Sequence, residues 1–184
     1  AFSSEDFLIF ANKGEEQNVS LISYFSGGQW IGGTSYDFDK REVKGAPFTI
    51  APGKGYIIVA ERDTEILVPG YDIKSSIPIA FSKGWNLVGV HGHQKAYTAQ
   101  SFINSINSTK GLKADNVTWW PTSKGRYEGL QVSEGQTYGQ DFAISPLNGY
   151  FVRITDLQHE RQECKSILWN PGGQNNEECG TQLN

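Results

Sequence analysis

The sequence predicts a mainly β fold made of two tandem, divergent copies of one β-rich unit, each with one short helix, sandwich-like or small-barrel-like, and followed by a disulfide-clamped C-terminal tail. Three observations carry this reading. Of 184 residues, 21 are Gly and 12% are aromatic while only 20% are charged, a balance that suits short strands and tight turns better than long salt-bridged helices. The stretch from Phe48 through Pro52 to Gly55-Tyr56 matches Phe142 through Pro146 to Gly149-Tyr150 with Phe, Ile, Pro, Gly and Tyr in register. Further landmarks keep the same order upstream: Gly28-Gln-Trp30-Ile-Gly32 against Gly125-Arg-Tyr127-Glu-Gly129, Asn18-Val-Ser against Asn116-Val-Thr, and Asp6-Phe7-Leu8 against Ser101-Phe102-Ile103. Self-similarity of this kind signals a duplicated unit.

Each unit reads locally in the same sequence of elements. Phe102, Ile103 and Ile106 fall at helical spacing behind Thr98, a capping residue, and Ser3-Ser-Glu-Asp-Phe7-Leu8 does likewise in the first copy. The runs Val19 to Phe25 and Val117 to Trp120 are β-branched or aromatic. The Gly-bearing turns at 26–28 and 123–125 send each back as a hairpin. Pro52-Gly-Lys-Gly55 and Pro146-Leu-Asn-Gly149 have tight-turn chemistry ahead of the central strands Tyr56–Ala60 and Tyr150–Ile154. Asp63 to Val68, closed by Pro69-Gly70, adds a strand candidate.

These elements divide the chain into a first copy over 1–72, a second over 73–158 and a tail over 159–184. The second copy opens on a strong strand, Gly84-Trp-Asn-Leu-Val-Gly89-Val90, with no counterpart ahead of Phe7. The first copy's sheet is therefore expected to present an edge that needs cover. The candidates are the apolar stretch Lys165-Ser-Ile-Leu-Trp169 or a strand from a neighbouring molecule; the third alternative is that the opening strand was cut away ahead of Ala1.

The formal net charge is −4 and no basic run exceeds Lys40-Arg41, which argues against nucleic acid and anionic lipid as partners. No stretch approaches the roughly 20 apolar residues of a membrane span. With no Met in the composition, Ala1 is expected to follow a removed leader or to begin a piece of a longer protein. The two cysteines, Cys164 and Cys179, flank a turn-rich polar loop. Two lone cysteines also stay reduced in a cytosolic protein, but their proximity favours a bridge.

The pattern Gly84-Trp-Asn-Leu-Val88, helix, hairpin, then Phe142-x-Ile-x-Pro-x-x-Gly149-Tyr150, resembles a loosely defined repeat of large secreted and surface-layer-like proteins of bacteria and archaea. It spans nearly all of 84–154, and the first copy keeps its later half. The resemblance implies a β-rich building block of extracellular architecture and brings no catalytic residues with it.

Candidate chemistry in the residues is sparse. His91 and His93 start a metal site, without a third ligand at metal spacing. Asp63, Glu65 and Asp72, or Asp37 and Asp39, offer oxygen ligands without the alternation of a calcium loop. No nucleophile elbow or phosphate-binding glycine pattern is present, so the expectation is a protein that is not an enzyme and has no cofactor. Trp30, Trp119, Trp120 and Tyr127 are candidates for a sugar-stacking platform, with strand alternation sending one of the adjacent Trp119 and Trp120 inward and the other outward. Asn18, Asn107 and Asn116 head Asn-x-Ser/Thr sequons, candidates for glycan attachment, the first and third at matching places in the two copies. The expected function is a non-enzymatic structural or interaction module, secreted or on the cell surface, in a surface layer, adhesin or filament. Its expected partners are copies of itself, other surface proteins or polysaccharide. The alternative is a carbohydrate-binding accessory module of a secreted hydrolase, which a row of exposed coplanar aromatics would favour.

Overall fold

A computed structural model describes residues 2–13, 18–26, 28–66, 70, 75–90, 96–161, 163–171 and 178–180. Its elements in chain order are α1 (Ser4–Ala11), β1 (Val19–Ser26), β2 (Gln29–Asp37), β3 (Glu42–Gly45), β4 (Tyr56–Ala60), β5 (Ile79–Ser82), β6 (Gly84–Gly89), β7 (Tyr97–Thr98), α2 (Ala99–Asn107), β8 (Leu112–Trp119), β9 (Glu128–Ser133), β10 (Gln136–Gly139), β11 (Ala143–Ile144), β12 (Gly149–Leu157) and β13 (Ser166–Trp169). Strands pair antiparallel into a four-stranded sheet, β3-β2-β1-β4, and a five-stranded sheet, β10-β9-β8-β12-β6, with two smaller pairs, β11-β7 and β13-β5. The mainly β expectation holds. The barrel form does not, because β3 and β4 end one sheet and β10 and β6 end the other without meeting. Each sheet instead gives its apolar face to a helix. Phe7 and Leu8 of α1 pack with Val19 and Ile22, and Phe102, Ile103 and Ile106 of α2 pack with Val117, Tyr150 and Val152.

The same local contacts occur around both helices. The Ser3 hydroxyl accepts from the Asp6 N–H at 3.1 Å while the Asp6 carboxylate accepts from the Ser3 N–H at 2.9 Å, a reciprocal cap repeated by Thr98 and Ser101. At the C-terminal end of each helix an Asn side chain ties the chain to the strand that follows. Asn12 accepts from the Val19 N–H at 3.0 Å and donates to its carbonyl at 2.8 Å, and Asn107 treats Ala114 the same way at 2.6 and 3.0 Å. The Tyr56 hydroxyl accepts from the Ala51 N–H at 2.8 Å and its ring stacks on Phe48; the Tyr150 hydroxyl accepts from the Ser145 N–H at 2.7 Å and its ring stacks on Phe142. Gly45 and Gly139 have φ of +97° and +96°, and a Cβ there would lie 2.5 Å from the Gly33 carbonyl oxygen and 2.2 Å from that of Gly129. Both positions therefore demand glycine.

Three expectations are revised by the strand pairing. Asn18 precedes Val19 at the start of β1, whereas Asn116 lies inside β8, two residues beyond Ala114. Since Val19 and Ala114 are the residues bound by Asn12 and Asn107, the two sequons do not occupy matching places. Of the strand expected over Asp63 to Val68, residues 63–66 form none, although Ile66 packs against the first core; Leu67 and Val68 lie outside the described residues. The C-terminal stretch does not cover the first sheet. β13 pairs with β5 and buries Ile167 and Trp169 in the second core, so this part of the C-terminal segment belongs to that core.

The first sheet does end at β4 among the described residues, where the second continues to β6. Ile58, which pairs across from the buried Ile22, is 44% exposed, while Val152 at the corresponding place in β12 is fully buried. The two halves meet where residues 53–55 run beside β6. Gly55 donates to the Leu87 carbonyl at 3.1 Å and Gly89 to that of Gly53 at 3.2 Å. No side chain fits at Gly55, whose Cβ would stand 2.8 Å from the Leu87 Cγ.

Candidate functional site

Strand pleat and two turns assemble a connected set of exposed aromatic rings. In β8, Val117 faces the core, Thr118 outward and Trp119 inward again, so Trp120 just past the strand turns outward and is 46% exposed. The chain then makes one 3-10 turn at Thr122–Lys124, and Gly125 with φ of +58° reverses it, bringing back Tyr127, which is 57% exposed. The two rings meet edge to face with centroids 4.8 Å apart and planes at 76°. The β1-β2 hairpin builds the same arrangement. Phe25 pairs across from Trp30 in the strand register, and their rings lie 5.2 Å apart, also at 76°. Trp30 is 55% exposed.

Phe151 joins the two pairs. It lies on β12 between the inward Tyr150 and Val152 and so projects from the opposite face of the sheet. Its ring is 5.8 Å from Phe25, 6.4 Å from Trp30 and 6.4 Å from Tyr127. A continuous ridge of five rings, Trp30, Phe25, Phe151, Tyr127 and Trp120, therefore crosses from one half of the chain to the other. Touching rings in it are inclined by 72° to 81°, so no two neighbours are coplanar. Edge-to-face contact is the favoured geometry for ring quadrupoles, and it leaves both edges and faces open to a partner.

Charged groups border the ridge. Lys124 and Glu128 pair across the turn that carries Tyr127. On the same sheet face, two residues beyond Phe151, Arg153 is gripped by Asp115 through Nε at 2.7 Å and Nη2 at 2.6 Å, and its guanidinium lies 5.6 Å from the Trp85 ring centre. The hydrogen bond to Asp115 raises the Arg153 pKa further above its ordinary value.

The structure thus brings together three of the four proposed platform residues and removes the fourth. Trp119 belongs to the second core, with its ring 6.0 Å from Phe142 and 6.2 Å from Tyr150, because the pleat that turns Trp120 out turns Trp119 in. Its indole Nε1 is buried without a hydrogen-bond partner among the described residues. Phe25 and Phe151, which join the ridge, were not among the candidates. Their signal was alternation: each neighbours an inward tyrosine, Tyr24 and Tyr150, whose rings pack at the cores.

The other candidates come apart. Cys164 and Cys179 form a disulfide with Cα atoms 5.6 Å apart. Asp37 is engaged as a turn residue, accepting from the Asp39 and Lys40 N–H groups at 3.1 Å each and pairing with Lys44, whose hydrogen bond holds its carboxyl below the usual range. Asp63 and Glu65 are exposed, while His91, His93 and Asp72 lie outside the described residues. Among the described residues no three His, Cys, Asp or Glu side chains converge as a metal site. No described helix is long and apolar enough to cross a membrane. Asn18 is only 1% exposed, Asn107 is committed to Ala114, and Asn116 stands half-buried on the sheet face opposite the second core. No protein-family model, curated protein or solved structure matches this chain.

Proposed function

We propose that this chain is a non-enzymatic module of the cell exterior, a building block of a surface layer, adhesin or filament, and that it works by contact through the aromatic ridge. The observation that carries the reading is the exposure of Trp30, Tyr127 and Trp120 in one connected strip reaching across both halves. Large exposed aromatics in contact with one another mark interaction surfaces, where they become the dominant anchors once a partner excludes water. The paired caps, Asn clamps and Tyr-centred turns support the reading of two divergent copies of one unit, as in the secreted repeat that the sequence resembles. The disulfide fits an oxidising compartment.

The ridge also invites the second reading, a carbohydrate-binding module. Its inclined rings support that less well, because a sugar chain stacks best on faces that share a plane. The two are separated by one triple variant, Trp30→Ala with Trp120→Ala and Tyr127→Ala. Sedimentation velocity on the wild type is expected to show concentration-dependent self-association that the variant lacks, while the variant's melting temperature stays close to that of the wild type. Ridge-dependent retention on insoluble cellulose, chitin or peptidoglycan would instead favour the sugar reading. A wild type that remains monomeric at millimolar concentration and binds none of these would overturn the proposed role of the ridge.

A further inference from the structure

We infer that Asn116 is the N-glycan acceptor of this chain and that the other two sequons are structural. The inference rests on the extracellular part of the proposed function and on nothing about the ridge. The three sequons are alike as motifs and differ sharply in what the fold does with them. Asn18 is buried, with its Nδ2 3.5 Å from the Thr64 hydroxyl and its Oδ1 enclosed without a partner among the described residues. A branched sugar on that nitrogen has no space. Asn107 uses both ends of its amide on the Ala114 backbone, and its sequon hydroxyl, Thr109, is only 1% exposed.

Asn116 is different on each count. It lies in β8 at the irregularity where Asp115 falls between the pairings Arg153 to Asn116 and Ile154 to Ala114, so Asn116 projects away from the core while Ala114 and Val117 remain buried. Its Oδ1 accepts from the hydroxyl of Thr118, the third residue of its own sequon, at 2.9 Å. Its Nδ2 makes no hydrogen bond to any described residue and carries both hydrogens. The sequon hydroxyl thus rests against the carbonyl end of the acceptor amide and leaves the nitrogen open to glycosyl transfer. In that reaction the Asn116 nitrogen forms a bond to the anomeric carbon of a lipid-diphosphate-linked oligosaccharide, the bond from that carbon to the diphosphate oxygen breaks, and the amide loses one proton. The glycan then stands on the face of the five-stranded sheet that also carries Arg153 and Phe151.

The test is secretion of the full chain from an N-glycosylating eukaryotic host, followed by intact mass and by peptide mapping after enzymatic deglycosylation in heavy-oxygen water. One glycan is expected, with the isotopic mark at Asn116 alone. It should vanish in Asn116→Gln and in Thr118→Ala, which leaves the acceptor in place, and persist in Asn107→Gln. Secreted, disulfide-bonded protein with no glycan, or with its glycan at Asn18 or Asn107, overturns the assignment. The extracellular reading is judged separately, by whether the wild type leaves the cell with Cys164 and Cys179 bonded.

Discussion

Replacing Trp169 with alanine is expected to cost about 3–5 kcal/mol, the usual range for emptying a fully buried aromatic site, out of a total that is commonly about 5–15 kcal/mol. Trp169 has no solvent exposure, and its ring lies 5.1 Å from Phe102, 5.8 Å from Tyr97 and 6.2 Å from Phe81, so it joins α2, β7 and β5 at one point. Its indole N–H also donates to the Ser105 hydroxyl at 3.2 Å. Guanidinium unfolding of Trp169→Ala and Trp169→Phe checks this. Phenylalanine should restore part of the loss by refilling volume and leave the cost of the missing indole. A loss below about 1 kcal/mol for the alanine variant would mean that β13 does not belong to the second core.

Removing the disulfide is the next largest expected effect. The Cys164–Cys179 bridge closes a separation of 15 residues, for which loop-closure entropy alone is worth about 3 kcal/mol. Here the bridge also holds the returning segment against β13. Leu168 donates to the Glu178 carbonyl at 2.9 Å, Gly180 donates to that of Ser166 at 2.9 Å, and the Ser166 hydroxyl donates to the Gly180 carbonyl at 2.7 Å. Cys164→Ser with Cys179→Ser should therefore lower the unfolding midpoint and speed amide exchange at Leu168 and Gly180 before Trp169 itself is exposed. Unchanged exchange at those two amides would show that the backbone pairing stands without the bridge.

Much of the architecture was legible because local chemistry and packing agree. Ser3 and Thr98 read as caps and are caps, and the hairpins fall at the glycine-bearing turns. The half without a Gly-Trp-Asn-Leu run has a four-stranded sheet that ends at β4 among the described residues, where the other sheet continues to β6. What sequence similarity misjudged was register. Asn18-Val-Ser and Asn116-Val-Thr look matched as letters, but the residues in matching roles are Asn12 and Asn107, whose side chains act on backbone groups seven positions away. Both first strands carry the same one-residue irregularity, at Ser20 and at Asp115, so Asn116 stands at the place of Leu21 rather than of Asn18. The destination of Ser166–Trp169 was illegible for another reason. Pairing with β5 depends on which edge lies near Cys164 in space, and apolar character alone suits either edge.

The ridge was half legible. Alternation predicted that one of Trp119 and Trp120 faces out, but the meeting of Trp30 with Tyr127 through Phe151 needs the two halves docked, and the residues that dock them are Gly53, Gly55 and Gly89, which carry no side chain to announce it.

Site-specific photo-crosslinking tests most directly whether this ridge is the contact surface. Tyr127 and Tyr138 are equally exposed at 57%, but only Tyr127 shares the ridge, Tyr138 standing on the edge strand β10. With benzoylphenylalanine at one position or the other in the purified chain, irradiation should yield a covalent dimer from position 127 and little from position 138. Equal yields from the two, or adducts from 138 alone, would contradict the assignment of the aromatic ridge as the surface through which this protein acts.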